Sequence, residues 1–203
     1  MKNVFLGIAI VLLFISGFLC FQSAQISAKM EKMDTKELTS TAKAYLRIGK
    51  IKEAEMHITK SLEKDSTNKE TQCYNLLILM KAKKYSKAYE ESKKVAEMYP
   101  DDPFVLTTVG TTYMANKDYE GAEKLLLKSI EIEPIHVSYR ALGMAYKAQK
   151  KYDEAIEAYT QAINMKPDTL KYHKERRRIC RKAGYDKCVE EDRKKIRELM
   201  KSK

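Results

Sequence analysis

Tryptophan is absent from this 203-residue chain, glycine occurs only 7 times, proline 4 times, cysteine 4 times and histidine 3 times. So little glycine and proline, beside 44% hydrophobic and 33% charged residues, favours helices over sandwiches or barrels. No glycine-rich loop is present to cradle a phosphate. No nucleophile stands with a base, and no pair of carboxylates marks a cleft, so the sequence points to no enzyme and to no cofactor. His57, His136 and His173 lack ligand-spaced neighbours and read as surface or hairpin-packing residues, with no metal site.

What the chain does have is a period. Ala54, Ala88, Ala122, Ala155 and Cys188 recur at intervals of 34, 34, 33 and 33 residues. Ile51, Tyr85, Tyr119, Tyr152 and Tyr185 keep the same step three places earlier, and Pro100, Pro134 and Pro167 follow in phase. Small side chains such as Ala42, Gly110 and Gly143 on a first helix, facing Ala54, Ala122 and Ala155 on a second, let two antiparallel helices approach closely. Proline disfavours the helical conformation in the residue before it, so second helices are expected to end at Tyr99, Glu133 and Lys166.

The clearest unit carries Tyr139, Leu142-Gly143, Tyr146, Ala155, Tyr159, Ala162 and Pro167. In this it resembles the tetratricopeptide repeat. The unit before it, with Val109-Gly110, Tyr113, Tyr119, Ala122, Leu126, Ser129 and Pro134, is also similar. Two earlier units are weaker. The last, with Glu175-Arg176 in the Leu-Gly slots, reads as a degenerate repeat or capping hairpin. The resemblance implies an all-α fold, a right-handed superhelix (α-solenoid) of helical hairpins. The expected organisation is a leader over 1–24, a linker over 25–34, repeats over 35–68, 69–102, 103–135 and 136–168, and a basic cap over 169–203.

Net charge is +11, but 14 Lys or Arg stand against 6 Asp or Glu from Thr169 onward, so +8 of it lies in that tail. Such a tail either meets an acidic partner or anionic lipid or forms a solvated end-face. Export argues against a nucleic-acid partner, and no base-reading module is visible. At the other end, Met1-Lys2-Asn3 precedes an uncharged apolar run from Val4 to Phe21 and a polar stretch to Ala28. That is the order of a secretory signal peptide, with a cut after Ala24 or Ala28. The run is also long enough to span a bilayer, and Lys29, Lys32 and Lys36 behind it would then favour a cytoplasmic repeat domain. Cys20 invites a lipoprotein reading, against which Leu19 stands immediately before it.

Three cysteines remain. Cys180 and Cys188 are expected to face each other across the last hairpin, either as a disulfide or with Cys188 filling the small-residue slot as a thiol. The resemblance implies a concave face built from first helices, and helix geometry puts Arg140, Met144 and Lys147 on it. Equivalent slots hold Thr107, Thr111 and Met114; Cys73, Leu77 and Met80; Thr39, Lys43 and Leu46; and, in the last unit, Arg177. These residues either bind a protein segment or complete packing between hairpins. The chaperone-tail clamp of some family members is not assembled, since Thr39, Tyr74 and Thr107 surround its slots. The expected function is a non-catalytic protein-protein interaction scaffold in the periplasm or cell envelope. The alternative is a membrane-anchored regulatory module with a cytoplasmic repeat domain.

Overall fold

The structure is a computed structural model that describes residues 24–201. The apolar run from Val4 to Phe21, with Cys20, lies outside the described residues, and so does any span it forms. Among the described residues no helix is long and apolar enough to cross a membrane. All the regular structure described is helical.

Residues 24–32 form the helical segment α1. After it come α2 (Thr35–Arg47), α3 (Ile51–Lys64), α4 (Lys69–Lys81), α5 (Tyr85–Met98), α6 (Pro103–Ala115), α7 (Tyr119–Ile132), α8 (His136–Ala148), α9 (Tyr152–Met165), α10 (Leu170–Ala183) and α11 (Asp186–Lys201). They fall into two compact units divided between Tyr74 and Asn75.

In the first unit, α2 and α3 pair as a hairpin. Asp34 opens α2 through a capping box: its carboxylate accepts from the Glu37 N–H at 2.7 Å, and the Glu37 carboxylate accepts from the Asp34 N–H at 3.1 Å. Leu38, Ala42, Ala54 and Ile58 form the buried seam. The expected linker is largely helical, because α1 has something to dock on. Met30 is buried, Lys60 reaches the Glu31 carboxylate at 2.7 Å, and Lys64 donates to the Glu31 and Met33 carbonyls at 2.6 Å each.

In the second unit α6 pairs with α7, α8 with α9 and α10 with α11, while α5 meets α6, α7 meets α8 and α9 meets α10. Two apolar clusters run through it: one joins Ala122 and Leu126 to Ala141, Leu142 and Ala145, the other joins Ala155, Tyr159 and Ile163 to Tyr172 and Ile179. Each hairpin therefore lends its second helix to the core of the next, the arrangement by which stacked repeats bury what one hairpin cannot.

Every turn between a first and a second helix passes through one left-handed residue: Gly49, Lys83, Lys117, Lys150 and Gly184. The next N–H then donates back five residues, to the carbonyls of Tyr45, Leu79, Tyr113, Tyr146 and Cys180 at 2.9–3.0 Å. That bond satisfies a carbonyl which the ending helix leaves open. The second helices α5, α7 and α9 are capped at Tyr99, Glu133 and Lys166, each directly before a proline.

Candidate protein-binding surface

Close approach within a hairpin depends on Gly110 and Gly143. A Cβ on Gly143 would meet the Tyr159 ring at 2.7 Å and the Ala155 carbonyl at 3.3 Å; on Gly110 it would meet Leu126 at 2.9 Å and the Ala122 carbonyl at 3.4 Å. The glycines thus admit a large side chain two turns from the turn, while Ala122 and Ala155 bring the backbone near. This packing fixes which side of each first helix is buried, and the opposite side is what α6, α8 and α10 leave open.

Of the residues expected on that open side, Thr111, Met114, Arg140, Met144 and Lys147 are half-buried, as are Leu77 and Met80 on α4. Thr107 is a correction: it is buried, and its hydroxyl lies 2.9 Å from Ser129 Oγ and 2.6 Å from Ser138 Oγ. Ser129 in turn donates to the Pro103 carbonyl at 2.9 Å. Thr39 repeats the arrangement in the first unit, 2.8 Å from Ser61 Oγ and 2.7 Å from Thr71 Oγ1. At 34-residue spacing after Thr39, Ser61 and Thr71 stand Cys73, Val95 and Val105, each of them buried. In each of the two hydroxyl triads the slot is an inter-helix packing position, closed as a ring because a buried hydroxyl must find a partner. The signal was available in the sequence as a Thr, Ser and Thr or Ser recurring in step.

Arg177 is the second correction. The buried residues of α10, Tyr172 and Ile179, stand 34 residues after the buried Ser138 and Ala145 of α8, and the left-handed Gly184 stands 34 after Lys150. In this register Arg177 shares the slot of Gly143, and its Nε is buried without a hydrogen-bond partner. The open slots of α10 are Lys174, Arg178 and Arg181, in step with Arg140, Met144 and Lys147. Tyr185 follows Tyr152 after 33 residues, one place short of this register. By the same register Val189, 6% exposed, takes the alanine slot, and Cys188 stands beside it half-buried.

The last hairpin is held by other chemistry. Cys180 and Cys188 are joined as a disulfide with Cα atoms 6.0 Å apart. Asp192, 1% exposed, accepts from Arg176 Nε at 3.0 Å and Nη2 at 2.9 Å and lies 2.8 Å from His173 Nδ1. His173 Nε2 lies 2.7 Å from the Pro167 carbonyl, and Arg176 Nη1 donates to Thr160 at 2.9 Å. Burial pushes the Asp192 carboxyl up, but the hydrogen bonds from His173 and Arg176 outweigh it and hold it below the usual range. Arg176 and Asp192 stand where Leu142 and Ala158 touch in the preceding hairpin, so an ion pair replaces an apolar contact.

The ligand atoms of Cys180, Cys188 and Asp192 lie within 4.8 Å of one another. Both sulfurs are spent on each other, however, and the carboxylate is engaged by Arg176 and His173, so this donor set does not fit a metal in the oxidised state. His57 Nδ1 lies 2.9 Å from the Glu53 carbonyl and His136 Nδ1 2.7 Å from the Tyr172 hydroxyl, both packing contacts.

Across the open side, Lys147 on α8 reaches Glu175 on α10 at 3.0 Å. Arg178 pairs with the other Glu175 oxygen at 2.6 Å. Burial pushes Glu175 up, and the hydrogen bond and charge of Lys147, with those of Arg178, hold it below the usual carboxylate range. Among the described residues Arg140 donates from Nη1 to the Met144 sulfur, at 3.1 Å, a weak acceptor for a guanidinium.

The sequence profile of the tetratricopeptide repeat matches residues 105–136 and 137–169, the stretch that folds as the hairpins α6–α7 and α8–α9, and this supports that family. Among solved structures the chain is similar to MamA 41-end from Desulfovibrio magneticus RS-1, with a TM-score of 0.66 and 22% identity over 83% of this chain and 96% of that one. It is also similar to pilF of Pseudomonas aeruginosa, with a TM-score of 0.70 and 18% identity over 81% of this chain and 76% of that one. A third is PilW, described as a widely conserved type IV pilus biogenesis factor, with a TM-score of 0.73 and 17% identity over 82% and 78%. At these identities the likeness establishes the fold, an α-solenoid of helical hairpins. Comparison with curated protein sequences gives no match.

Proposed function

We propose that this chain is a non-catalytic interaction scaffold that holds a segment of another protein along its first helices. The observation that carries this reading is the row of half-buried side chains in matching slots of α6 and α8: Thr111 with Met144, and Met114 with Lys147. Such a row is built by the repeat itself, and methionine suits an adaptable apolar contact. The site of action is the cell envelope, reached through the apolar leader. In support, Lys2, the uncharged run from Val4 to Phe21 and the polar stretch to Ala28 follow the order of a secretory signal peptide. A role in pilus biogenesis, the one described for PilW, is one instance of this class. In the second reading the leader is retained and the repeats face the cytoplasm; the lysines behind the run favour it. Sequencing the mature amino terminus separates the two, with a start at Gln25 or Lys29 expected for export and an intact Met1 for an anchor.

Site-specific photocrosslinking in cells tests the scaffold. A photoreactive residue at Met114 or Met144 is expected to yield one discrete adduct, whereas the same residue at Leu127 or Ile132, exposed on α7, is expected to yield none. Equal labelling at all four positions, or none at any, would contradict it.

A further inference from the structure

The register of α10 changes the character of the open side. In α6 Thr107 turns inward and the open slots hold Thr111 and Met114; in α8 the three slots hold Arg140, Met144 and Lys147; in α10 they hold Lys174, Arg178 and Arg181. Moving along the second unit, the row passes from neutral, through mixed, to wholly cationic. The whole solvent side of α10 follows suit: on a helical projection Lys171, Lys174, Arg178, Arg181 and Lys182 share one half of the circumference, opposite the buried Tyr172, His173, Ile179 and Cys180. Glu175 is the only carboxylate on this helix, and it is already shared between Lys147 and Arg178. Neither Lys174 nor Arg181 has an ion-pair partner among the described residues.

Resting on the scaffold reading, we infer that the occupant of this face is an acidic protein segment, with apolar anchors lying against Met114 and Met144 and a run of carboxylates lying along Lys174, Arg178 and Arg181. The cations lie on α10, the first helix of the last hairpin. They continue, slot for slot, the row on α8, and the 3.0 Å bond between Lys147 and Glu175 holds the two helices side by side. A line of like charge about 10 Å long, at 1.5 Å per residue from Lys174 to Arg181, matches an extended acidic stretch of three or four residues. Coulomb attraction from three cations, of which Arg178 and Arg181 are exposed and Lys174 half-buried, is screened by salt, so the contribution is to be read at low ionic strength.

The probe is a fluorescein-labelled dodecapeptide with two leucines followed by four glutamates, titrated at 50 mM salt into the wild-type chain and into two variants of equal charge. One variant is Lys174→Gln, Arg178→Gln, Arg181→Gln. The other is Lys187→Gln, Lys194→Gln, Arg197→Gln, which removes the same charge from exposed positions on α11. Glutamine keeps the helical propensity, and the far-ultraviolet melting curve checks that each variant is folded. The inference predicts at least a tenfold loss of affinity in the α10 variant and less than a twofold change in the α11 variant. A like loss in both variants overturns it, because net charge alone then explains binding. Absence of peptide binding with tight binding to phosphatidylglycerol vesicles also overturns it, in favour of a lipid surface. Either overturning result leaves the scaffold reading standing, since the crosslinks at Met114 and Met144 are measured without the acidic probe.

Discussion

Gly143 sets two effects of opposite sign against each other. Replacing it with alanine raises helix propensity by about 1 kcal/mol, but the new Cβ would lie 2.7 Å from the ring of Tyr159, which is 1% exposed and has nowhere to go. Overpacking of this kind costs about 1–3 kcal/mol. Gly143→Ala is therefore expected to lower stability despite the better helix former, as chemical denaturation would show. Gly184 isolates the backbone instead: it is left-handed at φ +80°, and a Cβ there would touch nothing within 4 Å. Gly184→Ala should cost about 1 kcal/mol from φ alone. Conversely Lys117→Gly, at φ 70° in the equivalent turn, should be neutral or stabilising by up to about 1 kcal/mol. A matched set of melting curves checks both signs.

Among the elements, the α10–α11 hairpin is held differently from its neighbours, by Asp192 with its two cationic partners and by the disulfide. The Asp192 carboxyl titrates lower in the folded chain than its ordinary value of 3.8. The unfolded chain therefore takes up the proton first. The stabilisation is complete above about pH 4 and is lost as pH falls through the folded value. Asp192→Asn should lower stability at neutral pH by about 2–4 kcal/mol, since Arg176 is left half-buried without its carboxylate, and should flatten the acid limb of the stability curve. Reduction of the disulfide, or Cys180→Ser with Cys188→Ser, should cost about 2–3 kcal/mol for so short a loop. Intact-mass measurement without reductant should find the chain two mass units lighter than the dithiol. Much of this level was legible beforehand. The alanine period, the prolines and the glycines point to hairpins, and the capped residues Tyr99, Glu133 and Lys166 stand where proline chemistry puts them. What the period could not convey was the register of the last hairpin, because Tyr185 is in phase while the helix before it is longer by one residue. The inward turn of Thr107 was legible only together with Ser129 and Ser138, which repeat Thr39, Ser61 and Thr71, since threonine taken alone serves equally in a hydroxyl ring and on a surface.

At the scale of the whole molecule, the second unit is a row of first helices with an open side and a row of second helices that supply the core. Chemistry along the open side is graded from Thr111 and Met114 to Arg178 and Arg181, and in the proposed scaffold that gradient gives a bound segment a direction as well as a place. Specificity in such an array resides in a few side chains on a fixed scaffold, so the partner is read through them. Hydrogen–deuterium exchange of the chain with and without its crosslinked partner tests this most directly. The account predicts slowed exchange concentrated in α6, α8 and α10 with α7, α9 and α11 unchanged; slowing confined to the second helices would contradict it.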